Sequence, residues 1–223
     1  MLDARQTVAD IVLDHSECVP VFQRHRIDFC CKGALSLSQA CADRGVDVQQ
    51  LLAELDQAIA ARQSAGERDL RTLSTSQLID QIVSGHHQYL REALPMVVGL
   101  AHKVARVHGS DEPHLRDLDR VVSQLQDTLE PHLAHEETVL FPLLLEPARD
   151  PERRDRELMA MSQEHESVGR MLEKIRELTS GFVTPEWACN SYRALFSELK
   201  AVEADVLRHV HLENFALRPR FVG

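Results

Sequence analysis

Twice in this chain, 77 residues apart, the pattern His-x3-Glu-x3-Leu-x-Pro recurs: His132, Glu136, Leu140, Pro142, then His209, Glu213, Leu217, Pro219. Residues four apart share one face of an α-helix. Each pair continues a run of apolar residues at steps of three and four: Leu118, Val122, Leu125, Leu129 before the first with Leu140 and Leu143 after it, and Leu195, Leu199, Val202, Val206 before the second. A stripe so spaced is the face that a helix buries. The fold must therefore take carboxylates and imidazoles into its core, where an unpaired charge is strongly unfavourable.

Two further stripes carry the same interruption. One runs Ile79, Val83, His87, Leu90, Leu94, Val97, and another Leu158, Met161, His165, Val168, Leu172, Ile175. His87 and His165 stand 78 residues apart, so the chain reads as two helical hairpins, each giving one His and one His-x3-Glu. Breaks at Gly109–Pro113, Pro147–Pro151 and Ser180–Pro185 divide four helices of about 30 residues, roughly 45 Å each. Short connections between such helices imply an all-α, up-down-up-down four-helix bundle. Ser74 with Gln77 forms a capping box, and Asp150-Pro151 and Thr184-Pro185 read as N-caps before a first-turn proline. Pro95 and Pro131 predict kinks.

One histidine on an apolar face is more often a satisfied core residue than a ligand. Six polar interruptions on four stripes, all in the same half of the bundle by their distance from the helix ends, need a shared partner. His108 is excluded: 21 residues beyond His87, it lies about 31 Å away and reads as a helix C-terminal histidine. Tyr192 reads as core. His135, Glu137, Glu203 and His211 flank the cluster and are candidates to hold the outer ring nitrogens of ligand histidines.

The rest of the chain sets the context. Residues 1–62 read as short helices around a Phe29-Cys30-Cys31-Lys32-Gly33 loop, 63–72 as a polar linker, and 73–223 as the bundle. Thirty-five acids against 25 bases give a net charge of −10, so no nucleic acid and no anionic membrane is an expected partner. The most apolar stretch, Ala93 to Ala101, is half of the roughly 20 residues that cross a bilayer. With no signal-peptide core at the start, the expected location is cytoplasmic. Five cysteines, an odd number with two adjacent, read as reduced thiols. Cys18, Cys41 and Cys189 are expected as small buried hydrophobes. Cys30 and Cys31, beside Lys32, are expected to have lowered pKa values and to take metal, nitric oxide or a partner thiol, a possible thiol shuttle.

Four histidines and two carboxylates in matched halves suggest two metals, with each carboxylate spanning both. Iron, manganese, copper and zinc all accept imidazole and carboxylate. Carboxylate sites inside four-helix bundles favour a di-iron centre, and structural zinc favours closed Cys/His sites. Two nitrogens and two shared carboxylate oxygens per iron leave room for an oxo or hydroxo bridge and a diatomic molecule.

Residues 75–219 resemble the hemerythrin-like domain, and Asp28-Phe29-Cys30-Cys31-x-Gly33 resembles the motif of the short domain that precedes it in repair-of-iron-centres proteins. The resemblance implies a non-haem di-iron protein that binds nitric oxide or dioxygen and restores damaged iron–sulfur proteins, its clients, under nitrosative and oxidative stress. It places the ligands on His87, His132, Glu136, His165, His209 and Glu213, and prefers His87 to His86. Oxygen-carrying hemerythrins have a further histidine where Gly169 stands and an aspartate where Asn214 stands, so oxygen carriage is not the expectation. Arg218 departs from the Leu-Phe-Pro ending that Leu140-Phe141-Pro142 keeps. A nitric oxide reductase, or a gas sink or sensor without a repair role, is the alternative, and a homodimer stays open.

Overall fold

The computed structural model describes residues 2–61, 72–146 and 148–222. The expected linker at 63–72, Thr72 apart, and Pro147 lie outside the described residues. The described residues contain no strand, only an isolated bridge between Thr7 and Ser36. None of their helices is long and apolar enough to cross a membrane. The chain forms two compact units, 1–78 with 210–223, and 79–209.

In the first unit, local signals start and stop short helices. α1 (Val8–Asp14) begins at Thr7, whose hydroxyl accepts the Asp10 N–H at 3.1 Å, satisfying a donor that the helix itself cannot. α2 (Val19–Arg24) has Pro20 in its first turn, where a missing N–H is harmless. α3 (Leu37–Arg44) starts on Ser36 and ends at Gly45, whose φ of 66° makes a left-handed cap. α4 (Val48–Ala61) is started by Asp47, whose Oδ1 accepts the N–H groups of Gln49 and Gln50 at 2.9 and 2.8 Å. Val8, Ile11, Val19, Phe22, Leu37, Leu51 and Leu55 are buried as its core. The segment 210–223 belongs to this core as well. His211 Nδ1 donates to the Phe29 carbonyl and Asn214 Nδ2 to the Cys30 carbonyl, both at 2.9 Å.

Four long helical runs follow. α5 (Thr75–Gln81) opens on the expected capping box, with Ser74 and Gln77 exchanging hydrogen bonds at 2.9 and 3.2 Å. It passes through a π-helical turn, Ile82–His87, into α6 (Gln88–His108). α7 (His114–His135) passes through a second π turn, Glu136–Leu140, into α8 (Phe141–Leu145). α9 (Pro151–Leu178) is capped by Asp150, which accepts the Arg153 N–H at 3.0 Å. α10 (Asn190–Leu212) runs into a third π turn, Glu213–Leu217. α6 packs on α7, and α7 on α9. α10 is joined to α9 by the Arg176–Glu203 ion pair and to the first π turn by His86 and Asp205. The short turns make successive runs antiparallel, and the result is the helical bundle that the stripes imply.

The stripes bury as read, with two one-residue corrections. Ile82 rather than Val83 is buried before His87, and Leu144 rather than Leu143 after Leu140. Both corrections flank a π turn, which holds one extra residue and rotates what lies beyond it by about 100°. Pro95 and Pro131 stay inside α6 and α7. The fourth helix begins at Asn190, not Pro185. Residues 185–188 close a separate turn, Ala188 N–H to Pro185 O. The Arg193 guanidinium takes the carbonyls of Glu186 and Ala188 at 2.6 and 3.1 Å, which a longer helix would have used itself.

Candidate metal centre

His87, His132, Glu136, His165, His209 and Glu213 are all buried, none more than 5% exposed. Within 79–209, His87, Glu136 and His209 form one group, and His132, Glu136 and His165 another, with ligand-capable atoms within 4.8 Å in each. Glu213 stands four residues beyond His209, at the start of the π turn that continues α10.

Glu136 sits at the centre. Its Oε2 lies 3.4 Å from His87 Nε2 and 3.8 Å from His209 Nε2, while its Oε1 lies 3.3 Å from His132 Nε2. One carboxylate thus turns one oxygen to each group. His87 Nε2 and His209 Nε2 face each other at 3.2 Å. Two nitrogens about 2.1 Å from one ion stand about 3.0 Å apart at right angles and about 3.4 Å apart in a tetrahedron. The observed gap falls between these values, and His132 Nε2 is buried with no hydrogen-bond partner. The donor set fits a pair of cations.

The outer ring nitrogens explain why the inner ones are lone pairs. His87 Nδ1 donates to Glu137 Oε1 at 2.7 Å, and that oxygen also takes Arg91 at 2.8 Å. His132 Nδ1 donates to Glu164 Oε2 at 2.6 Å. A histidine that gives its Nδ1 proton outward presents Nε2 as a bare ligand. For Glu137, burial pushes the carboxyl pKa up, but hydrogen bonds from Arg91 and His87 outweigh it and the net shift is down. For Glu164 the His132 hydrogen bond dominates and lowers it. Both stay ionised acceptors.

Among the four flanking residues named from the sequence, Glu137 alone holds a ligand histidine. Exposed His135 pairs with Glu157 at 2.8 Å, Glu203 takes Arg176, and His211 donates to Phe29. Burial holds the His211 imidazole down at about 4, so it is neutral. Glu164 was not foreseen; its only signal is an acid immediately before a ligand histidine. His86 pairs with Asp205 at 2.8 Å and belongs to neither group. His108 ends α6, outside both groups, with Nε2 3.3 Å from Cys189 Sγ. Cys189 is exposed, not buried as expected, because it precedes the late start of α10.

Cys30 is buried and Cys31 half-buried, with their sulfurs 3.6 Å apart. The Cys30 thiol does not have the lowered pKa expected of it. Its contact with Cys31, then burial, then Asp28 push it well above the ordinary value, and Lys32 is exposed.

A family model described as the hemerythrin HHE cation binding domain matches residues 78–221, and a domain of unknown function (DUF542) matches residues 4–59. The iron-sulfur cluster repair protein YtfE of Pectobacterium atrosepticum is 33% identical over 96% of both chains. The chain belongs to the iron-sulfur cluster repair family. Its similarity extends to Staphylococcus haemolyticus, whose iron-sulfur cluster repair protein ScdA is 32% identical over 99% of this chain and 100% of its own. The YtfE protein of Yersinia pseudotuberculosis is 33% identical over 96% of each. The matched family model describes a cation-binding domain, and the buried His/Glu cluster is a group of side chains in this bundle that could hold a metal ion.

Proposed function

We propose that this protein repairs or protects iron–sulfur clusters under nitrosative and oxidative stress, and that its bundle holds two irons, one per group. The observation that carries the reading is the two-sided carboxylate of Glu136, with oxygens turned to different sets of imidazoles. Glu213, its counterpart in the repeated pattern, would supply the second carboxylate that holds the pair. When bound, two irons supply one-electron chemistry and open positions for a diatomic ligand such as nitric oxide.

The chain's own residues set the conditions. His87 with His209, and His132 with His165, give two imidazoles to each group. Glu137 and Glu164 keep the Nδ1 protons outward. Phe141 stacks on His87 with ring centroids 5.7 Å apart, and Leu140 is buried beside Glu136, so water is held off one wall. Asn214 is turned to the Cys30 carbonyl and position 169 has no side chain. Neither adds the extra ligand of an oxygen carrier, which favours nitric oxide chemistry over oxygen carriage. The relatives' repair names support iron–sulfur proteins as clients.

The test pairs metal analysis with repair. Protein from iron-replete cells should hold about two irons per chain and restore activity to an iron–sulfur enzyme inactivated by nitric oxide. One tightly held zinc and no iron would refute the centre. Catalytic nitrous oxide formation under several equivalents of nitric oxide, with no restoration of the damaged enzyme, would select the reductase alternative.

A further inference from the structure

Ligand atoms also converge in the loop between α2 and α3. The carboxylate of Asp28 and the sulfurs of Cys30 and Cys31 lie within 4.8 Å of one another. We infer that Asp28, Cys30 and Cys31 form a second metal site, which takes one thiophilic divalent cation of the zinc, iron(II) and cobalt(II) class through two thiolates and a carboxylate.

The spacing suits one ion. Two thiolates about 2.3 Å from a tetrahedral centre stand about 3.8 Å apart, and a thiolate and a carboxylate oxygen about 3.6 Å apart. The sulfurs here are 3.6 Å apart, and Cys30 Sγ is 3.3 Å from Asp28 Oδ1. For these two pairs, closing onto a cation needs shifts of a few tenths of an ångström, and Cys31 Sγ stands within 4.8 Å of the carboxylate. Binding displaces the two thiol protons to solvent, one of which Cys30 now directs at Asp28, and sets three negative charges against a dication.

The loop is built to hold this shape. Asp28 Oδ1 accepts the N–H groups of Cys30 and Cys31 at 3.0 and 2.8 Å. The Phe29 and Cys30 carbonyls are held by His211 and Asn214. The Gly33 and Leu35 carbonyls accept the N–H groups of Ala9 and Val8 at 2.9 and 3.0 Å. A side chain at Gly33 would lie 2.5 Å from the Phe29 carbonyl oxygen and 2.9 Å from Phe215, so only glycine lets the loop fold this tightly. A chelate fixed before binding loses little freedom when it binds. Three protein ligands also leave a position open, unlike a closed four-ligand structural zinc site. Half-buried Cys31 gives the way in. The site shares no ligand with the His/Glu cluster and does not depend on how that cluster is filled.

One equivalent of zinc, added to the iron-loaded full chain and read by X-ray absorption at the zinc edge, tests this. The expected shell holds two sulfurs at about 2.3 Å with lighter atoms completing it. The double variant Cys30→Ser with Cys31→Ser should lose both sulfurs while keeping its iron. Cys31→Ser alone, at the half-buried position, should lose one sulfur and weaken zinc binding by at least about tenfold. That single variant keeps the test decisive if the double variant does not fold. A zinc shell of nitrogen and oxygen only, or a sulfur shell that survives in the double variant, overturns the proposal.

Discussion

Removing the carboxylate of Glu137 tests whether His87 is a ligand without touching His87 itself. Its Oε1 accepts from His87 Nδ1 at 2.7 Å and is held in place by Arg91 at 2.8 Å, and its side chain is 26% exposed. Losing such an outer partner commonly weakens metal binding by about 10–100-fold, or about 1.4–2.7 kcal/mol. Glu137→Ala belongs at the upper end, because little water can reach Nδ1 to replace the lost acceptor. Glu164 makes the same contact with His132 at 2.6 Å but is 50% exposed, so water substitutes and Glu164→Ala should cost about tenfold. Glu157→Ala is the control, since it removes the partner of exposed His135, which belongs to neither group. Iron(II) affinity, measured anaerobically against a chromophoric chelator, should fall in the order Glu157→Ala, Glu164→Ala, Glu137→Ala, with far-ultraviolet circular dichroism unchanged. Glu137→Gln keeps an acceptor oxygen and should recover part of the loss. If Glu137→Ala binds iron(II) within about twofold of the Glu157→Ala control, His87 is not a metal ligand held through Glu137.

Three other outcomes follow from the same geometry. Glu136→Ala and Glu213→Ala should each drop iron from about two per chain to less than one, whereas His108→Ala should keep the full content; equal loss in all three, by metal analysis, would break the assignment. Leu129→Ala and Leu195→Ala empty positions that are 1% and 0% exposed, and each should lower unfolding free energy in urea by about 2–5 kcal/mol. Hydrogen bonds from His25 and then Arg24 hold Glu54 down at about 2, from a usual 4.5. A depressed carboxyl stabilises the fold above its unfolded pKa and loses that contribution as pH falls through the folded value. The melting difference between wild type and Glu54→Gln should therefore be constant above about pH 4.5 and shrink toward about pH 2; an undiminished difference at the low end would contradict it.

The buried His/Glu cluster was legible because it breaks a rule that the rest of the chain obeys. Apolar positions at steps of three and four announce buried faces, and only a shared partner reconciles His87, His132, Glu136, His165, His209 and Glu213 with them. The caps at Ser74 and Asp150 were legible because they are local, each made within three residues. The unread features are tertiary. Glu164 reaches a histidine 32 residues earlier in the chain, and Arg193 reaches back over a turn to withhold Glu186 and Ala188 from α10. The Cys30 pKa was misread because Lys32 is near in sequence, while what sets it is the sulfur of Cys31, the burial of Cys30 itself and the carboxylate of Asp28.

The π turns connect these two kinds of feature. Each of the three touches a proposed ligand: one ends on His87, one begins on Glu136, one begins on Glu213. In the last two, the N–H five residues on, from Phe141 or Arg218, bonds the ligand's own carbonyl. The next residue in both is proline, Pro142 and Pro219, which has no N–H to give and crowds the carbonyl four residues back. Widening the turn just before the ring relieves that conflict. Hydroxyls serve the widened backbone, with Ser84 donating to the Asp80 carbonyl and Thr138 to that of Ala134, both at 2.7 Å. The Leu-x-Pro that follows each His-x3-Glu therefore has a structural role next to the proposed metal ligands. It marks where the helix departs from 3.6 residues per turn, and the departure appears as the one-residue slip from Leu143 to Leu144. Around His87 the same slip, from Val83 to Ile82, arises without a proline and with Gly85 in the turn. A uniform α period would bury Val83 and Leu143. The chain instead accepts an uncommon helical turn at each of three ligands, a pattern that π turns show at functional sites more than elsewhere.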